Sequence, residues 1–244
     1  MFESIELTTN LVVIFSTFEY FAFPLLNGHR QVKKKLYTVI SPEIKNIIFD
    51  LGGVIINLST QATVNQFARL GCISEEEVNQ RMMQSKAFHD YEKGLISDTR
   101  FRGIVGEMLQ VEVSDAEIDR CWNAMLLDIP PERIQLLERL KSKYRIFLLS
   151  NTNEIHLNCF NGIVQELTGK SSLDGFFEKA YYSHRMKMRK PDREIYDVVL
   201  QENSLDPART IFLDDNLSNL KGAELCSIKT FHVQYPDLIF TLFA

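Results

Sequence analysis

Residues 47–53 read Ile47-Ile48-Phe49-Asp50-Leu51-Gly52-Gly53, and their reading decides the fold. Three apolar residues without polar alternation describe a strand buried on both faces, as in a parallel sheet. The run ends in a carboxylate, at the strand end where open α/β folds bind their ligands. Two glycines then allow a sharp turn and a close approach of the main chain to whatever Asp50 contacts. Taken alone, the heptad fits an ordinary strand end with a solvated Asp equally well. Three later stretches decide against that.

The same pattern recurs downstream. Ile146-Phe147-Leu148-Leu149 runs into Ser150-Asn151-Thr152-Asn153. Ala180-Tyr181-Tyr182 is followed by Arg189-Lys190-Pro191-Asp192, with a helix expected to start at Lys190 and run to about residue 201. Thr210-Ile211-Phe212-Leu213 runs into Asp214-Asp215-Asn216, and a last short strand is expected over residues 230–233 after a helix over 217–226. Strands alternating with helices predict an α/β, Rossmann-like core with a doubly wound parallel sheet.

Between the first and second strands, residues 59–140 carry helical patterns and no strand pattern. Ser74-Glu75-Glu76-Glu77 and Ser114-Asp115-Ala116-Glu117 both match the S-x-x-E capping box. Pro130-Pro131 marks a boundary, after which residues 133–143 read as an amphipathic helix. A block of that length is too long for one crossover, so 59–140 is expected to be a helical cap domain inserted after the first strand. The core is then residues 45–58 and 141–244, with residues 1–44 an extension outside it.

Composition narrows the function. At 244 residues, 45% hydrophobic and 24% charged, the chain is globular. A net charge of −5 argues against nucleic-acid binding, which leaves a basic footprint. Cys72, Cys121, Cys159 and Cys226 form no C-x-x-C pair and read as reduced thiols of a cytoplasmic protein. Residues 11–26 are strongly apolar and precede a basic run, but Glu3 and Glu6 stand where a secretory signal needs positive charge. A transmembrane helix needs about 20 apolar residues; this run is shorter and is interrupted by Glu19 and Pro24. It reads as an extension, with membrane contact of residues 11–26 as the second reading.

In a parallel sheet, Asp50, Ser150, Asn151, Asp214 and Asp215 share one edge and converge, with Lys190, on a single crevice. Crowded carboxylates repel unless a cation is present. Mg²⁺ accepts one or two carboxylates, a carbonyl and waters, and favours substrate phosphates. A Ser hydroxyl, backbone N–H groups and a Lys ammonium complement phosphate oxygens, and the Asp50 carboxylate is free to attack phosphorus.

This ordered set resembles the haloacid dehalogenase (HAD) superfamily of aspartate-nucleophile hydrolases, over roughly residues 45–235. The wording FDLGGV, KGLIS, LLSNTN, MRKPDREIY and FLDDN is most similar to the bacterial α-D-glucose-1-phosphate phosphatase-like branch. The resemblance implies an Mg²⁺-dependent phosphomonoesterase acting on a small phosphorylated metabolite such as a sugar phosphate, glucose 1-phosphate being one example. It implies Asp50 as nucleophile, passing through an aspartyl phosphate, and metal ligation by Asp50, the Gly52 carbonyl, Asp215 and, directly or through water, Asp214. Ser150 and the Asn151 N–H would hold the phosphoryl group, Lys190 would neutralise charge between Asp50 and phosphate, and Asn219 would support the metal site.

One position departs from most of the superfamily. Gly52 stands where a second Asp usually protonates the leaving group, as it does in the branch this chain resembles. An anomeric or acyl leaving group needs less protonation, which fits a glycine there. Two other functions stay in view: a non-catalytic phosphate-binding protein, and a metal-independent 2-haloacid dehalogenase, for which the Asp214-Asp215 pair has no use. His89, His156, Trp122, Met82 and Met83 are read as structural. Arg185, Lys187 and Arg189 are read as a solvated basic loop, and Glu75–Glu77 as a favourable helix N-terminus.

Overall fold

The computed structural model describes residues 40–243. The apolar run forms β1 (Asn46–Phe49), every residue of it buried. Five helices follow: α1 (Thr60–Gly71), α2 (Glu75–Gln84), α3 (Ala87–Glu92), α4 (Asp98–Leu109) and α5 (Asp115–Asn123). Both serines cap their helices as expected, while the carboxylates of Glu77 and Glu117 pair with Arg81 and Arg120. The Ser74 hydroxyl accepts from Glu77 N–H at 3.1 Å, and Ser114 accepts from Glu117 N–H at 3.3 Å.

Helix α6 (Pro131–Leu140) leads into β2 (Arg145–Ser150), α7 (Glu154–Thr168) and β3 (Lys179–Tyr182). A single turn, α8 (Ser183–Met186), precedes α9 (Arg193–Glu202), β4 (Thr210–Asp214), α10 (Leu217–Glu224), β5 (Lys229–His232) and α11 (Leu238–Leu242). The five strands form one sheet in the order β3-β2-β1-β4-β5, with every pairing parallel. The chain moves outward from β1 to β3, then returns to the other side of β1. That reversal beside β1 is where such sheets open a crevice at their carboxyl ends.

Alternate strand residues face opposite layers. Ile47, Phe49, Ile146, Leu148, Ile211 and Leu213 pack with α6, α7 and α11. Ile48, Phe147, Leu149 and Phe212 pack against Ile195, Tyr196, Val199 and Leu220 of α9 and α10. The cap has its own core around Phe67, Val78, Phe101, Val105 and Trp122, and Ile155 of α7 joins it from the sheet domain.

Three expectations are corrected. Helix α6 belongs to the core rather than to the cap, because Ile134, Leu136, Leu137 and Leu140 bury their faces against the sheet. The core also begins before residue 45, since Ile40 and Ile44 are buried in the same cluster. Lys190 does not begin a helix: α9 starts at Arg193, and Lys190 lies buried in the preceding loop. The apolar residues 11–26 lie outside the described residues. Among the described residues, no helix is long and apolar enough to cross a membrane.

Candidate active site

The site grows from the end of β1. Asp50 donates its N–H to the Leu213 carbonyl at 2.8 Å, which holds it level with Asp214 at the end of β4. On the other side Phe49 pairs with Leu148, so Ser150 stands one position beyond Asp50 on β2. The turn after Asp50 depends on Gly53, whose φ is +67°, and a Cβ there would lie 2.5 Å from Asp215 Oδ2. Any other residue would both strain the backbone and push Asp215 away.

Lys190 is the centre of the cluster. Its side chain is 1% exposed, and Nζ donates to Asp50 Oδ1 and to Asp214 Oδ2, each at 2.7 Å. The Asn151 amide fixes its main chain, accepting from Lys190 N–H and donating to the Lys190 carbonyl, both at 2.9 Å. Burial works to lower the Lys190 pKa, but Asp214 and Asp50 outweigh it, and the ammonium form is favoured.

Asp214 is wholly enclosed. Asn219 Nδ2 donates to both its oxygens, at 3.1 and 3.0 Å, and Asn216 N–H donates to Oδ1 at 2.7 Å. Asn219 is held in turn by Tyr196, whose hydroxyl donates to its carbonyl at 2.7 Å. Asp215 lies on the open side of the crevice. Its pKa is raised, by desolvation first and by the Asp214 charge second. The Asp50 carboxyl is pushed up to about 7, chiefly by burial, against the pull of Lys190 and with a further push from Asp214 and Asp215.

Three carboxylates therefore face one ammonium. Asp50, Asp214 and Asp215 offer oxygens that lie within 4.8 Å of one another. This donor set suits a hard divalent cation, whose charge would lower the raised carboxylate pKa values. The oxygens of Asp214 are already engaged by Lys190, Asn216 and Asn219, which leaves Asp215 and the second oxygen of Asp50 freer to ligate. Asp215→Ala is accordingly expected to weaken Mg²⁺ binding by about tenfold or more, and more than Asp214→Asn does. Calorimetric titration with Mg²⁺ measures this directly; equal losses in the two variants would contradict it.

Thus Asp50, Asp214, Asp215 and Lys190 come together as expected, with Asn151 and Asn219 bracing them. Ser150 is 2% exposed, and its hydroxyl makes only a long 3.5 Å contact with the Asn151 carbonyl. His156 is structural. It stacks on Trp122 at 4.6 Å between ring centroids, and burial lowers its pKa to about 4. The basic loop is not simply solvated: Arg189 pairs with Glu92 at 2.9 Å, and Lys187 donates to the Gly94 carbonyl. Ser183 does not stand out in the sequence, yet it is fully buried and accepts from Thr152 N–H at 2.9 Å. No sequence pattern marks it.

Residues 44–226 match the family model of haloacid dehalogenase-like hydrolases. The chain belongs to that family. It is similar to a HAD family enzyme of Bacteroides thetaiotaomicron solved in complex with magnesium and inorganic phosphate. That likeness is 37% identity over 78% of this chain and 93% of the other, with a TM-score of 0.69. A D-ribitol-5-phosphate phosphatase of Bacteroides thetaiotaomicron is 28% identical over 77% of this chain and 91% of its own. A sesquiterpene phosphatase of Aspergillus oryzae is 26% identical over 78% and 89%. The matched residues 44–226 of this haloacid dehalogenase-like chain include the whole sheet edge just described, from Asp50 to Asn219.

Proposed function

We propose that this protein is an Mg²⁺-dependent phosphomonoesterase whose substrate is a sugar or sugar-alcohol phosphate. The observation that carries the reading is the buried Lys190 ammonium, 2.7 Å from both Asp50 and Asp214 at the carboxyl edge of the sheet. Asp50 attacks phosphorus with one carboxylate oxygen, the P–O bond to the leaving group breaks, and the phosphoryl group rests on Asp50 until water releases it as phosphate. Lys190 offsets the repulsion between an anionic nucleophile and an anionic substrate. The Ser150 hydroxyl and the Asn151 N–H hold phosphoryl oxygens. A cation held by Asp50, Asp215, the Gly52 carbonyl and Asp214 would supply positive charge for the same oxygens.

The similar proteins named above include a D-ribitol-5-phosphate phosphatase and a sesquiterpene phosphatase, and the first of these supports a sugar or sugar-alcohol ester as substrate. The four unpaired cysteines fit a cytoplasmic location. Hydrolysis of ribitol 5-phosphate, glucose 1-phosphate, glucose 6-phosphate and acyl phosphates, with Mg²⁺ and with chelator, tests the proposal. Mg²⁺-dependent release of phosphate from a sugar or polyol ester is expected. No turnover on any ester, or halide release from a 2-haloacid in chelator, would overturn it.

Gly52→Asp tests why no acid stands beside Asp50. Gly52 does not require a positive φ; a Cβ there meets only the methyl end of Leu58, a half-exposed and movable side chain. The variant is therefore expected to fold. An added acid should raise the rate on an ordinary ester such as glucose 6-phosphate, within the roughly 10²–10⁴-fold range of such help where proton transfer limits the rate. Glucose 1-phosphate should gain less. Equal changes on the two esters would show that Gly52 has no part in substrate preference.

A further inference from the structure

We infer that the cap turn Glu92-Lys93-Gly94 is the device that places the Lys190 ammonium, with Glu92 and Lys93 as positioning residues for the proposed reaction. The inference rests on the reading of Asp50 and Lys190 as the reacting pair. The turn lies at the end of α3, some 100 residues before Lys190, and it grips the chain on both sides of that lysine. Glu92 Oε2 accepts from Arg189 Nε at 3.0 Å, and Nη2 of the same guanidinium lies 2.9 Å from that oxygen as an ion pair. Lys93 Nζ donates to Asp192 Oδ2 at 2.7 Å. The loop residue immediately before Lys190 and the one two places after it are therefore both held by the cap.

The backbone of the turn is seated as firmly as its side chains. Ser183 Oγ donates to the Glu92 carbonyl at 2.6 Å and accepts from Thr152 N–H at 2.9 Å. One buried hydroxyl at the start of α8 thus joins the cap to the segment that carries Ser150 and Asn151. Gly94 has φ +60°, and a Cβ there would run into the His184 carbonyl, so only glycine allows the turn to approach this closely. Lys187 donates to the Gly94 carbonyl from the same side. Tyr91, one residue before Glu92, accepts from Ile155 N–H through its hydroxyl at 3.4 Å.

The energetics separate placement from stability. The Glu92–Arg189 and Lys93–Asp192 pairs are partly exposed, and pairs of that kind add little to folding. The position of Nζ is far more demanding, because it must meet two carboxylates at once. A displacement of about 1 Å in a reacting group can cost about 10²-fold in rate. Small gains in stability at Glu92 and Lys93 thus coexist with a large effect on turnover. With the cap seated as it is here, residues 189 and 192 are fixed and Lys190 points at Asp50 and Asp214.

The test uses the full chain with Mg²⁺ and p-nitrophenyl phosphate. Glu92→Arg and Arg189→Glu are each expected to lower kcat by about 10–100-fold, with KM changed by less than about threefold. Melting temperatures should stay within about 3 °C of wild type. The double variant Glu92→Arg with Arg189→Glu should recover most of the lost kcat, which a general loss of packing would not do. Lys93→Met should lower kcat in the same direction. Singles with wild-type kcat, losses that follow the melting temperature, or no recovery in the double variant would each overturn the inference. If wild type hydrolyses no phosphate ester, the proposed function fails instead. The latch is then read from amide exchange of residues 183–192: faster exchange in Glu92→Arg supports it, and unchanged exchange overturns it.

Discussion

Asp50→Asn is expected to abolish hydrolysis, lowering kcat on the order of 10⁴-fold or more while the protein stays folded. The amide keeps the shape of the carboxylate and can still accept from Lys190 Nζ, but it cannot attack phosphorus. The substitution has a second signature. The Asp50 carboxyl rises from 3.8 to about 7 in the folded chain, chiefly through burial. The folded state then binds the proton more tightly than the unfolded state does. In chelator, this group contributes most to stability below pH 3.8, and its contribution falls as pH rises towards about 7. The amide has no such titration, so the variant should gain melting temperature over wild type across the same window. Mg²⁺ should restore wild type by stabilising the charged form. Turnover within tenfold of wild type would remove Asp50 from the chemistry. Parallel melting curves across the window would show that its carboxyl does not titrate there.

Lys190→Met is expected to lower kcat by about 10²–10³-fold, the usual effect of removing one charge-stabilising donor. It also leaves Asp50 and Asp214 facing each other without a counter-charge. Breaking a buried pair in this way costs about 3–5 kcal/mol. Protonation of Asp50, whose carboxyl pKa burial already raises, relieves the repulsion, so the melting temperature of the variant in chelator should recover towards wild type at mildly acidic pH. Rates compared on protein verified as folded separate the two effects. Activity within tenfold of wild type would make Lys190 a structural tie between two strands and no part of the reaction.

The sheet was legible in the sequence because its strands are buried on both faces. Ile47-Ile48-Phe49 and Ile146–Leu149 carry no alternation for solvent to impose, and each ends at the polar group that matters. The carboxylates were legible for the same reason: parallel strands of similar length bring their ends to one edge. Helix α6 was not legible as a core element. Its apolar stripe has the same period as those of the cap helices, and a stripe does not say which surface covers it.

The depth of Lys190 was hidden as well, since a lysine beside a proline ordinarily stands in water. Its burial depends on Asp50 and Asp214, which are 140 and 24 residues away in the chain. The partners of Arg189 and Lys93 lie 97 and 99 residues away. Local pattern carries no trace of such pairs, so Arg189 read as a solvated cation and Lys93 only as part of the KGLIS wording. Charge type and strand ends can be read along the chain; which charges meet across the cap seam depends on how cap and core dock.

The proposed reaction requires Asp50 to carry the phosphoryl group. Two successive in-line displacements, one by Asp50 and one by water, return the original configuration at phosphorus, whereas one direct attack by water inverts it. The deciding measurement is the stereochemical course of hydrolysis of a thiophosphate monoester made chiral with oxygen isotopes, run in isotopically labelled water with Mg²⁺. Retention of configuration is the predicted result. Inversion would contradict it.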